Sequence, residues 1–263
     1  MLTLGVGLVA LRVLAPHGMA LAVAHLAAGA LLASGSSAGG LTVAPWQLLS
    51  RADRSLIVYR GPSDRKVVAL TLDDGPSPVW TPKVLDLLNS RGVKATFFLV
   101  GRLASRNPDL VRREVSEGNA VGNHTWDHPH LEALSPRQVS VEFSECGALL
   151  KQLTGREPWL ARPPRGAMAP AGLQAIVHAG YTPVLWSVAT EHRDAHTPRQ
   201  MADRVIAKTT PGAIILAHDG GRDQSRTLDA LALIIDGLKA KGYTFVTVPE
   251  LLKGRPLEGR SRA

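Results

Sequence analysis

The strongest constraint on the fold is an alternation. Short apolar, β-branched runs are followed again and again by longer amphipathic stretches that close at a glycine. The runs at 66–72, 95–100, 120–123, 159–161, 183–188, 213–217 and 244–248 read as strands. Helices are expected between them at 82–91, 108–117, 136–153, 171–179, 198–208 and 227–241, with Gly92, Gly118, Gly155, Gly180 and Gly242 as stops. A strand followed by a helix and another strand returns parallel to where it started. The fold class is therefore α/β. About seven parallel strands in about 190 residues suit a distorted (β/α) barrel, closed or incomplete, better than an open sheet. In such barrels the working residues lie at the C-terminal ends of the strands. Asp73-Asp74, His124, Arg162, the Trp186 segment and His218-Asp219 all fall there.

The chain of 263 residues, 45% apolar, can bury a full core. It divides into an apolar leader (1–40), a connecting arm (41–64), the α/β domain (65–254) and a basic tail (255–263). The leader carries one formal charge before residue 34, at Arg12, and ends in a small, flexible stretch at 34–40. It reads as a signal peptide or a membrane anchor, broken by Arg12 and Pro16-His17-Gly18, with cleavage expected near Ala38. The protein is accordingly expected to be secreted or associated with the cell envelope. The net charge of +8 suits an acidic polymer or surface. No interleaving of aromatic and basic residues supports nucleic acid, which is not an expected partner. Cys146 is the single cysteine, so an internal disulfide is excluded and a buried, inert thiol is expected.

The chemistry begins at Thr71-Leu72-Asp73-Asp74-Gly75-Pro76, where a buried strand runs into two carboxylates and a turn. Alternation along a strand sends Asp73 and Asp74 in different directions and so toward different tasks. Taken alone, the stretch is also what an ordinary Asp- and Gly-rich turn looks like. His124-Thr125-Trp126-Asp127-His128 then sets two imidazoles four residues apart. A helical turn would put both on one face, within reach of one metal ion. With a strand-end carboxylate they make a two-His, one-carboxylate set with open positions, which suits a catalytic Zn²⁺. The same donors serve non-haem Fe(II) oxygenases, but those commonly sit on antiparallel double sheets, unlike the alternation here. His130 is expected to be exposed or a neighbour in the cleft.

The chain resembles the polysaccharide deacetylase (NodB-homology) family, carbohydrate esterase family four, over about residues 66–248. Thr71-Leu72-Asp73-Asp74-Gly75-Pro76-Ser77 is similar to its first motif and Asn123-His124-Thr125-Trp126-Asp127-His128 to its second. Arg162-Pro163-Pro164-Arg165-Gly166 is similar to the third, and Ile215-Leu216-Ala217-His218-Asp219 to the fifth. The resemblance implies a distorted barrel, a divalent metal (usually zinc) and removal of acetyl groups from sugars. It makes Asp73 the general base, Asp74, His124 and His128 the metal ligands, and His218 the general acid. Arg162 would orient Asp73, and Leu216 would line the acetyl pocket. The resemblance also implies that the backbone N–H of Arg165 helps hold the oxyanion.

Two departures stand out. Arg165 replaces a usual aromatic residue, which leaves the backbone donor but introduces a cation. In the fourth motif Ala189 stands where an Asp usually tunes the acid histidine, and Glu191 and Asp194 are the available substitutes. Trp80 is a candidate for stacking on a sugar, whereas Trp126, Trp159 and Trp186 read as core or cleft walls. The expected activity is metal-dependent deacetylation of an N-acetylated glycan, peptidoglycan or a chitin-type oligomer, with no protein partner implied. A non-catalytic glycan-binding protein on the same fold is the alternative from another class, motivated by the altered fourth motif.

Overall fold

A computed structural model describes residues 49–253. The leader at 1–40, the first part of the arm and the basic tail at 255–263 lie outside the described residues. No helix among the described residues is long and apolar enough to cross a membrane.

The elements follow the expected alternation. They run α1 (Arg51–Ser55), β1 (Val67–Gly75), α2 (Thr81–Ser90), β2 (Thr96–Leu99), α3 (Gly101–Arg106), α4 (Pro108–Ser116), β3 (Ala120–Asn123) and α5 (Pro136–Thr154). Then come β4 (Leu160–Ala161), α6 (Pro170–His178), β5 (Thr182–Pro183), β6 (Val188–Ala189), α7 (Pro198–Lys208), β7 (Ile214–His218), α8 (Ser225–Ala240), β8 (Thr244–Val246) and α9 (Val248–Leu251). Local chemistry explains the helix ends. α5 opens with a capping box between Ser135 and Gln138 and α7 with one between Thr197 and Gln200, each with a proline in its first turn. Gly155 ends α5 at φ 71°, a left-handed conformation that glycine adopts without a Cβ penalty.

All strand pairings are parallel, in the order β5-β4-β3-β2-β1-β7-β6, with β8 added beside the start of β1. β1 is the spine, shared by β2, β7 and β8. Its side chains alternate. Val68, Leu70 and Leu72 pack against the helices, while Ala69, with Phe98, Leu160, Val184 and Ile214, fills the inside of the curled sheet. The arm adds isolated bridges to the sheet: Val58 to Val184, just after β5, in parallel, and Arg60 to Ala213, just before β7, antiparallel. Leu49, Ile57 and Val58 are buried.

The sheet differs from expectation in one place. The run 183–188 was expected as one strand but forms two, β5 and β6, on opposite edges. The carbonyls of Val184 and Leu185, which a neighbouring strand would otherwise use, accept hydrogen bonds from the guanidinium of Arg162 at 3.0 and 3.2 Å. The parallel sheet remains an incomplete barrel, and the antiparallel platform of an Fe(II) oxygenase is not what the chain builds.

Candidate active site

Register places the site. Asp73 pairs with His218 of β7 and with Phe98 of β2, Leu99 pairs with Asn123, and Asn123 pairs with Ala161. The residues at or just past these strand ends, Asp73, Asp74, His124, Arg162 and His218, are thereby brought to one level of the barrel.

β1 does not keep strict alternation to its end. Its pairing to β2 shifts between Asp73 and Gly75, a bulge, and Asp74 sits at φ 70°. The left-handed conformation is one that Asp tolerates better than most residues. Both carboxylates therefore approach His124 Nε2, at 3.8 Å for Asp73 and 3.4 Å for Asp74, although alternation would have separated them. Their partners still differ. Asp73 accepts from Arg162 Nη1 at 2.6 Å, whereas Asp74 Oδ1 lies 3.1 Å from His128 Nε2.

Arg162 and Asp73 form a buried ion pair, the guanidinium wholly enclosed. Arg162 Nη1 also donates to Thr71 Oγ1 at 2.8 Å, and that hydroxyl donates to the carbonyl of Ile215. The guanidinium lies 4.1 Å from the centre of the Phe98 ring. Burial at this level is tolerable because every edge of the fork has a partner.

The two histidines are not on a helical turn. The segment after β3 is a loop with Thr125 at φ 73° and His128 at φ 58°, and it brings the rings to 5.0 Å between centroids. Polar side chains fix its shape. Asn123 Oδ1 accepts from Thr125 N, Thr125 Oγ1 accepts from His128 N, and Glu142 of α5 accepts from the N–H groups of Trp126 and Asp127. Asn123 is anchored in turn by donating to Phe143 O and Tyr181 Oη. His124 Nδ1 lies 2.6 Å from the carbonyl of Arg162, which can only accept, so Nδ1 carries a proton, and in the neutral ring Nε2 offers its lone pair.

The donor set fits a metal ion. Ligands about 2.0–2.1 Å from a tetrahedral ion lie about 3.3 Å from one another. Asp74 Oδ1 is 3.4 and 3.1 Å from the Nε2 atoms of His124 and His128, and these three residues form a group able to hold an ion. Burial works to raise the Asp74 pKa, but hydrogen bonds and charge from the two imidazoles pull it well below the usual carboxylate range.

His218 faces this group across a cleft of about 410 Å³ that Asp74, Glu191, Arg222 and Arg226 also line. Its Nδ1 is 3.1 Å from Glu191 Oε2. Burial alone would lower the imidazole pKa. Glu191, with help from Asp73 and Asp74, outweighs it and raises the value to about 9.

Other expected residues are more dispersed. Arg165 is exposed at φ 58°, with Nη1 3.3 Å from His128 Nδ1. Leu216 is buried in β7. Trp80 precedes α2, does not line the cleft, and carries the Lys83 ammonium 4.6 Å from its ring centre. His130 pairs with Glu132, and Asp194 pairs with His192, not with His218. Burial pushes the Cys146 thiol up to about 12, consistent with an inert side chain. Glu142 is the residue that sequence reasoning missed. It lies on the middle of an amphipathic helix, where a Glu carries no signal beyond a solvated face.

The sequence pattern of the polysaccharide deacetylase family matches residues 60–184. The chain is 40% identical over 199 residues to a peptidoglycan-N-acetylglucosamine deacetylase of Bacillus cereus, covering 75% of this chain and 93% of that protein. Among solved structures, a crystal structure of a peptidoglycan N-acetylglucosamine deacetylase superposes with a TM-score of 0.72 at 35% identity, covering 76% of this chain and 94% of that one. A family-four pseudoenzyme from Bacillus anthracis superposes with a TM-score of 0.69 at 29% identity, over 75% of this chain and 69% of its own.

Proposed function

Because this chain belongs to the polysaccharide deacetylase family, we propose that it is a metal-dependent hydrolase that removes acetyl groups from an N-acetylated glycan, with peptidoglycan as the first candidate. One observation carries the reading: Asp74, His124 and His128 converge at ligand spacing beside the buried Asp73–Arg162 pair, with His218 facing them. The chitin-type alternative is supported by a similar chitooligosaccharide deacetylase, 35% identical to this chain.

Asp74, His124 and His128 would hold the divalent ion, zinc being well suited to two imidazoles and a carboxylate. When bound, it supplies Lewis acidity that lowers the pKa of water and polarises the acetyl carbonyl. Asp73 takes the proton of the attacking water, held in place by Arg162. The Arg165 N–H donates to the carbonyl oxygen as negative charge develops there. His218 gives a proton to the nitrogen as the C–N bond breaks. Leu216 lines the acetyl pocket, and Trp80 serves as a contact to a neighbouring sugar. In the arrangement described, Arg165 donates toward His128 Nδ1, so the ring proton is on Nε2. An ion held through His128 Nε2 would need the ring proton on Nδ1, where Arg165 now donates, and the Arg165 guanidinium would then be available to an anionic substituent on the glycan. A cell-wall substrate agrees with the reading of the N-terminal segment as an export signal or anchor.

The test is acetate release from N-acetylglucosamine oligomers and from peptidoglycan by zinc-loaded protein. Release that a chelator abolishes, and that Asp73→Asn loses while fold and zinc content stay unchanged, is the expected result. Folded, zinc-loaded protein that releases nothing from either polymer would overturn the reading. That result would favour the binding-only alternative, which Ala189 and the likeness to a pseudoenzyme support.

A further inference from the structure

The residue at 189 is alanine, yet His218 is not left without a carboxylate. Glu191, in the loop after β6, the strand paired with β7, reaches the ring with Oε2 3.1 Å from Nδ1. We propose that Glu191 is the positioning residue of the acid histidine: it fixes the His218 ring through Nδ1–H and presents Nε2 to the leaving nitrogen. The proposal rests on the deacetylase reading for its catalytic consequence, but the pairing itself can be tested apart from turnover.

Three features make Glu191 a built partner rather than a passing neighbour. Its carboxylate receives hydrogen bonds from hydroxyls on two other positions, Thr190 Oγ1 on Oε2 and Thr227 Oγ1 on Oε1 at 2.8 Å. Thr227 is buried near the start of α8 and is itself within 2.9 Å of Gln224 Oε1. The loop is also tied to β7, since Thr190 N donates to Leu216 O, and to α7, since Arg204 donates to Ala189 O. The other candidate, Asp194, is occupied by His192 and Arg193 at the surface.

The chemistry follows from the ring's two nitrogens. A carboxylate can only accept from Nδ1, so that nitrogen carries a proton in both charge states of the imidazole. In the imidazolium, Nε2–H passes its proton to the departing nitrogen, which keeps the electron pair of the broken C–N bond. Neutral imidazole remains, still donating through Nδ1 to Glu191. The groups that act on the ring are Glu191 from the loop after β6, Asp73 and Asp74 from β1 and the buried Asp219 that follows His218 in the chain, while His192, Arg193, His196, Arg222, Asp223 and Arg226 line the same cleft. Burial favours the neutral form of Glu191, but His218, Thr190 and Thr227 hold its pKa below the usual range. The partner therefore stays charged through the pH range in which His218 works.

Glu191→Gln, Glu191→Asp and Glu191→Ala separate charge from orientation. The measurements are the titration of His218 by ¹⁵N-imidazole NMR, with wild type and variants in the same metal state, and the pH profile of kcat on the preferred glycan. In Glu191→Gln the His218 midpoint and the alkaline limb of kcat are expected to fall together by at least about one pH unit. In Glu191→Ala kcat at pH 8 is also expected to drop about tenfold to a hundredfold. Glu191→Asp should recover part of both, with zinc content unchanged in every variant. If Glu191→Gln leaves the midpoint and the alkaline limb where they were, or Glu191→Ala keeps wild-type kcat throughout, the proposal is wrong. Wild-type protein that released no acetate would count against the deacetylase reading alone, and the NMR titration would still decide the pairing.

Discussion

Replacing Arg162 with methionine removes the cation that makes Asp73 tolerable in the interior. The guanidinium is fully enclosed, and Asp73 is 3% exposed. Taking away one partner of a buried ion pair costs about 3–5 kcal/mol, because the other charge is left uncompensated. The carbonyls of Val184 and Leu185 lose their donors as well, and the contact over Phe98 is lost. Each orphaned acceptor costs about 1–3 kcal/mol unless water reaches it. With water reaching the two carbonyls, the expected loss is about 5 kcal/mol, of the same order as the total stability of an ordinary domain. With a urea m-value of about 2–3 kcal/mol/M, the unfolding midpoint of chelator-treated Arg162→Met should fall by about 2 M. The decisive comparison is the double variant Arg162→Met/Asp73→Leu. Removing both charges together should make it at least about 2 kcal/mol more stable than the sum of the single losses predicts. A midpoint shift under about 0.5 M in Arg162→Met, or strictly additive losses, would refute the account of a compensated buried pair.

Two further predictions use other parts of the domain. A Cβ on Gly147 would stand 2.1 Å from Tyr181 Oη, which anchors Asn123 below the histidine loop. Gly147→Ala should therefore cost about 1–3 kcal/mol and weaken zinc binding, as read by urea unfolding and zinc titration; unchanged values would separate Asn123 from the loop's geometry. Glu114 of α4 is buried, and neither carboxylate oxygen has a hydrogen-bond partner among the described residues. Burial, with a smaller contribution from Asp219, raises its pKa well above 4.5. The penalty for charging such an acid is absent below its unfolded pKa and grows as pH rises through the folded value. Glu114→Gln should therefore be about 1–3 kcal/mol more stable than wild type at pH 8, with the gain vanishing below pH 4.5. An equal difference at both pH values would show that charge is not its cause.

Much of this protein could be read from local pattern. Helix periods, capping residues and terminal glycines are properties of neighbours in the chain, so the alternation and most helix limits were legible. So were the parallel sheet and the strand-end placement of Asp73, Asp74, His124, Arg162 and His218, because crossover connections leave few other topologies. Tertiary structure alone decided what depends on distant partners. Arg162 takes the carbonyls of Val184 and Leu185 and so splits one expected strand into two. A bulge at Asp74 turns both carboxylates toward one histidine. The histidine pair is shaped by Asn123, Thr125 and Glu142 rather than by a helical turn. Glu191, one of two acids the sequence offered near Ala189, reaches His218 only because the loop is held by β7, α7 and α8. Sequence distance specifies which groups are available; side-chain direction across a folded interior determines which of them meet.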